Sequence, residues 1–220
     1  MLIRRGGGEV IGDSPERRVE ILSDHPSLHA TWSRFGPGRA GADLHVHRRH
    51  TDLFYVLEGE LTVRLGIEDE EVVVPAGHVA RVPPLVVHGF RNAGDADMRY
   101  LNFHAPGVGF ADYMRALRDG RTLTYDQEPP PSDAVRPASE AQIARPPVAV
   151  DAIAIAEVRN EERESSQHLE SFYVLEGEAV VIIDGRGDER APAGTWAQIP
   201  PGFPFAITGA ARLLSVRTPL

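Results

Sequence analysis

The chain has 220 residues, 42% of them hydrophobic, enough for one large domain or two modest ones with packed cores. Its net charge of −9, with no arginine-dense patch interleaved with aromatics, lacks the electrostatic footprint of a nucleic-acid binder. The absence of cysteine and lysine removes disulfides, thiolate nucleophiles, cysteine-held metals and Schiff-base chemistry, leaving His, Asp, Glu, Tyr and a metal ion.

The opening "MLIRRGGGEV" lacks the apolar stretch of a signal peptide, and "GGG" at Gly6–Gly8 has none of the context of a phosphate loop, so it reads as a flexible terminus. Apolar runs such as "AVVII" are too short to span a bilayer, so a cytoplasmic protein with no membrane partner is expected. Short runs rich in Val, Ile, Phe and Tyr, broken by Gly, Pro and Asp about every ten residues, predict an all-β chain of antiparallel sandwich or barrel type. Strands are expected at 19–22, 29–35, 44–47, 52–57, 61–65, 71–74, 79–82, 89–92 and 98–104. Phe110, Tyr113, Met114 and Leu117 fall on one helical face, with Gly120 placed to end the helix. The six prolines of 122–147 predict an irregular tether, and the scheme of strands resumes from about Val150 to Val216.

"FYVLEGE" occurs at Phe54–Glu60 and again at Phe172–Glu178, 118 positions on. "PAGHVARVPP" at Pro75 meets "PAGTWAQIPP" at Pro192 at an offset of 117, so the chain is an internal repeat that has lost one residue in the intervening hairpin. The domains expected are 1–120, a linker 121–147, and 148–220. Counting along the first heptapeptide, Phe54 and Val56 point inward, while Leu53, Tyr55 and Leu57 make an apolar outer face that the other half or a second subunit must cover. A homodimer is one such cover.

Before the first copy stands "DLHVHRRHTD", whose His45 and His47 are two apart and so share a strand face. A tight turn through 48–51 would return Asp52 to the same interior, and His88 follows a Pro-Pro turn in the later hairpin. Three imidazoles and a carboxylate suit one divalent transition metal: Fe, Mn, Ni, Zn or Cu. The repeat carries Arg163, Ser165, Glu170 and Phe205 at these places, a set that opposes metal binding. His104 shares a strand face with Tyr100 and Asn102 and is a candidate to line the pocket, whereas His50 reads as a turn residue. His25, His29 and His78 read as ordinary surface or edge residues.

The pattern His45-Val-His47, four residues, Asp52, six residues, Gly59, followed by Gly77, Pro83, His88 and Asn92, resembles the two motifs of the cupin superfamily. Asp52 stands where that family usually has glutamate, and Leu85 where its second motif has a glycine. The resemblance covers both halves and implies a bicupin: two tandem double-stranded β-helix (jelly-roll) barrels joined by a helix and a Pro-rich linker, the second barrel degenerate. It also implies a metal held by His45, His47, Asp52 and His88. Among small-molecule enzymes of this kind a quercetinase-like dioxygenase is the first candidate, with Asp52 a ligand or a proton acceptor and Phe54, Phe90, Tyr100 and His104 contacting substrate. An isomerase and a non-catalytic binding or structural module are the alternatives.

Overall fold

The computed structural model describes all residues except 133–134, 151–152, 164–165, 185 and 220. In chain order the strands are β1 (Leu2–Ile3), β2 (Glu9–Ser14), β3 (Arg17–His25), β4 (Leu28–Phe35), β5 (Thr51–Glu58), β6 (Glu60–Leu65), β7 (Glu70–Pro75), β8 (Val79–Val82), β9 (His88–Arg91) and β10 (Met98–Ala105). Helix α1 (Phe110–Arg118) comes next, then β11 (Gln142–Ala144), β12 (Val148–Val150), β13 (Ile153–Val158), β14 (Glu161–Arg163), β15 (Leu169–Ile183), β16 (Arg186–Pro192), β17 (Trp196–Ile199) and β18 (Phe205–Thr218). The chain divides into two compact units, Glu9–Arg145 and, from both ends of the sequence, Met1–Gly8 with Pro146–Leu220.

The larger unit holds a seven-stranded sheet in the order β11-β8-β5-β10-β4-β3-β2 and a three-stranded sheet β7-β6-β9. The pairs of named strands are antiparallel, as expected for jelly-roll architecture. Its core takes Phe54, Val56, Met98 and Tyr100 from the first sheet and Leu61, Val63 and Val74 from the second. Phe54 and Val56 are thus the core-facing residues of β5, as their alternation predicts, and Tyr55 is buried as well. Helix α1 buries Met114 and ends where predicted, with Gly120 in the left-handed conformation (φ 65).

The smaller unit is an eight-stranded sheet ordered β1-β17-β15-β18-β13-β12, with β14 on β18 and β16 on β15. The repeat is visible in its backbone. Gly59 lies between β5 and β6 and Gly177 within β15, at φ 74 and 76, where a Cβ would lie 2.8 Å from the Asp97 carbonyl oxygen and 2.0 Å from that of Ala210. Leu61 pairs with Val74 in one hairpin and Ala179 with Ala191 in the other, so the second hairpin is one residue shorter between its paired ends.

Three points depart from expectation. The segment 121–145 is no bare tether: Glu128 and Arg136 make bridges to Val46 and Val86, and β11 pairs with β8, so the segment straps the larger unit. Strand β2 goes unpredicted, because "GEVIGDSPERR" reads as glycine and charge rather than alternation. The segment 44–47 forms isolated bridges rather than a strand.

Candidate metal centre

His45 and His88 face each other as an isolated antiparallel bridge, His45 N–H donating to the His88 carbonyl (2.8 Å) and His88 N–H to that of His45 (2.9 Å). Asp52 comes from β5, opposite His104 of β10. The turn that returns the chain to Asp52 is organised by Asp126, whose carboxylate accepts from the backbone N–H of Arg48 (3.0 Å) and Arg49 (2.9 Å) and from His50 Nδ1 (2.9 Å). Leu85, at the family's glycine position, adopts the left-handed φ of 68 that a glycine would take freely. Its N–H donates to the His47 carbonyl (2.7 Å) and its own carbonyl accepts from Arg136 (2.8 Å), so the turn before His88 is kept at some cost in strain.

The three imidazoles are wired alike. Nδ1–H donates to a backbone carbonyl in each: Asp43 for His45 (2.7 Å), Val86 for His88 (2.9 Å) and Asp126 for His47. A carbonyl only accepts, so in the neutral rings the proton sits on Nδ1 and Nε2 presents a lone pair. The Nε2 atoms of His45 and His47 lie 3.1 Å apart, two lone pairs that repel unless a cation lies against both. A proton is disfavoured there, since burial, then His88 and His47, bring the His45 ring down to about 3. A metal ion fits this donor set. One candidate ligand atom from each of His45, His47 and His88 lies within 4.8 Å of the others, and Asp52 Oδ2 stands 3.4 Å from His88 Nε2 and 3.8 Å from His47 Nε2. Burial alone would raise the Asp52 carboxyl, but His104, His47 and His88 hold it well below the usual carboxylate range.

A second cluster, His47, His50 and His104, adjoins the first. Tyr125 OH joins His50 Nε2 (3.2 Å) to His104 Nδ1 (2.9 Å), and His104 Nε2 faces Asp52 Oδ1 at 3.3 Å. With His50 Nδ1–H spent on Asp126, the phenol donates to His50 and accepts from His104. The His104 lone pair then points at the carboxylate, a contact that one added proton would bridge. Asn102 donates to Asp52 Oδ1 beside it. The site opens on a cavity of about 330 Å³ lined by His45, His47, Asp52, Phe90, Tyr100 and His104 among others. Phe54 is absent from this lining; it packs in the core, 5.1 Å from the Phe90 ring.

In the smaller unit the same lattice of positions carries different chemistry. Arg163 pairs with Phe205 as His45 does with His88, while Ser165 lies outside the described residues. Glu170 pairs across the sheet with Arg217 as Asp52 does with His104. Its carboxylate is bound by Arg217 Nε (2.9 Å) and Ser166 Oγ (2.7 Å). Among the described residues, no group able to hold a metal is found there.

Three features escape the sequence reading. Tyr125 and Asp126 lie in a stretch whose prolines suggest a tether; a tyrosine and an acid side by side among prolines are their only signal. His50 is buried while its counterpart His168 is exposed, so their shared position hides different roles. His29, expected at the surface or an edge, is buried, with neither ring nitrogen hydrogen-bonded.

Residues 31–104 match the family model of the cupin domain. No curated protein sequence matches the chain significantly. Similar solved structures include protein Ylba from E. coli (13% identity, 99% of this chain and 89% of that one, TM-score 0.72). A tryptophan-to-tyrosine mutant of salicylate 1,2-dioxygenase from Pseudoaminobacter salicylatoxidans is 14% identical over 91% of this chain and 76% of that one, at a TM-score of 0.60. A tryptophan-to-phenylalanine mutant of B. subtilis oxalate decarboxylase is 13% identical over 100% and 77%, at 0.61. At these identities the likeness is one of fold, while the match to the cupin domain covers 31–104. Among the described residues no helix is long and apolar enough to cross a membrane.

Proposed function

We propose that the larger unit is a mononuclear metal centre of a small-molecule enzyme, with His45, His47, His88 and Asp52 as ligands and an oxygenase as the first activity to test. The observation that carries this is the 3.1 Å approach of two Nε2 lone pairs whose Nδ1 protons are already committed. A divalent ion held there would supply a Lewis acid for two oxygen donors of a substrate. The chain's own part is to hold the imidazoles in one tautomer and to offer the Asp52–His104 contact as the resting place for a proton released by a substrate hydroxyl. Phe90 and Tyr100 wall the cavity. The similar structures named as a dioxygenase and a decarboxylase, the latter named with Mn(II) centres in a further similar structure, agree with such chemistry without choosing between them. Isomerase chemistry or ligand capture without turnover would use the same donor set.

The smaller unit, in this reading, is a second barrel of a bicupin retained as scaffold, its acid locked on Arg217. Purified chain should therefore carry one transition metal. His47→Ala and His88→Ala should leave it empty, and Glu170→Gln should leave occupancy near one per chain, all by elemental analysis. Two metals per chain would assign the second unit a live site. Oxygen uptake by the loaded protein, screened under air against flavonols and diketones, separates an oxygenase from the other readings.

A further inference from the structure

Arg17 begins β3 on the same strand face as Val19 and Ile21, both of them core residues. A guanidinium in that place requires an anion, and its neighbours have theirs: Arg18, one residue on and facing the other way, is 2.7 Å from Glu20, and Arg115 reaches Glu9, Asp24 and Asp112. Arg17 has none. Its Nε is buried without a hydrogen-bond partner, and among the described residues no carboxylate pairs with it. What holds the charge is the face of Phe35, 5.5 Å from the guanidinium carbon to the ring centroid. Arg17, Phe35 and Tyr100 line the same cavity of about 330 Å³ as His45, His47 and Asp52. The other carboxylate on that lining, Asp43, is exposed.

We propose that Arg17 anchors a carboxylate of the ligand, so that the cavity takes a small organic acid whose second oxygen donor reaches the metal centre. The cavity has the volume of about ten water molecules, room for a compact acid and little more. One guanidinium against aromatic rings balances one negative charge, which suits a carboxylate better than a phosphate dianion. The Phe90 and Tyr100 walls between the two polar ends suit a short apolar spacer.

This inference rests on the metal reading above, and the test separates the two. Malonate, succinate, glutarate and adipate, each against its monomethyl ester, are titrated calorimetrically into metal-loaded and metal-free wild type, Arg17→Leu and Arg17→Lys; elemental analysis of the loaded proteins reports the metal independently. One diacid should bind loaded wild type at least about tenfold more tightly than its half-ester, the worth of a charge-assisted pair. Arg17→Leu should lose that preference while keeping its metal, and Arg17→Lys should retain part of it. In the metal-free chain, acid binding should still fall in Arg17→Leu, so the anchor is read even if no metal binds. The proposal is overturned by equal binding of diacid and half-ester, by a preference that survives Arg17→Leu, by no diacid binding at all, or by inorganic phosphate outcompeting every acid.

Discussion

His29 shows how one buried side chain sets a pH dependence. Burial, then the nearby His104 and Arg115, hold its ring well below the ordinary 6.5, with Asp52 opposing. The folded chain thus keeps the ring neutral while the unfolded chain protonates it, and stability falls as pH drops below about 6.5. At pH 5 the loss from this one ring is at most about 2 kcal/mol. Chelator-treated protein should show it as part of a urea midpoint that declines from pH 8 to pH 5, a decline shared with the depressed His45, His50 and His104, and His29→Leu should make the decline measurably shallower. An unchanged slope would mean that His29 takes up its proton without cost. Asp52 does not confuse the result, since a depressed carboxyl withdraws its contribution only below about pH 4.

At the level of elements, the strap 121–145 is what a reading of the chain could least foresee. The strands of the larger unit announce themselves by alternation, and His45, His47, Asp52 and His88 by spacing, because both signals are local. Asp126 gives no such sign: its partners His50 and Arg48 lie 76 and 78 residues earlier, and long-range pairing leaves no trace in a short window. Its work is nonetheless large. Asp126→Ala removes the acceptor of two backbone N–H groups and of a buried imidazole, each costing about 1–3 kcal/mol when left unsatisfied. Denaturant unfolding should show a loss of several kcal/mol, whereas Glu128→Ala, which removes a half-exposed pair with Arg48 at 2.8 Å, should cost about 1 kcal/mol or less. Equal losses would make the strap ornamental. The same residue's carbonyl orients His47, so the Asp126→Ala backbone shift should also weaken metal binding by roughly tenfold or more.

Across the whole molecule, each unit carries its own reporter: Trp32 in the larger and Trp196 in the smaller. Every proposed ligand lies in the larger unit, so metal at a hundred times its dissociation constant should stabilise that unit by about 2.7 kcal/mol. Trp196→Phe protein, read through Trp32, should melt higher with metal; Trp32→Phe protein, read through Trp196, should not. A metal-dependent shift of the Trp196 signal alone would place the ion in the other unit. The division of the chain also orders its assembly. Leu2 and Ile3 pair with Ala197 and Trp196, so the ribosome makes this edge strand nearly two hundred residues before its partner. In between it delivers the whole of Glu9–Arg145, which can close on its own core and around the proposed metal while the earlier strand waits. Synthesis halted after Arg145 would thus release a chain with every proposed metal ligand in place and an unpaired edge strand, Leu2–Ile3, looking for another sheet.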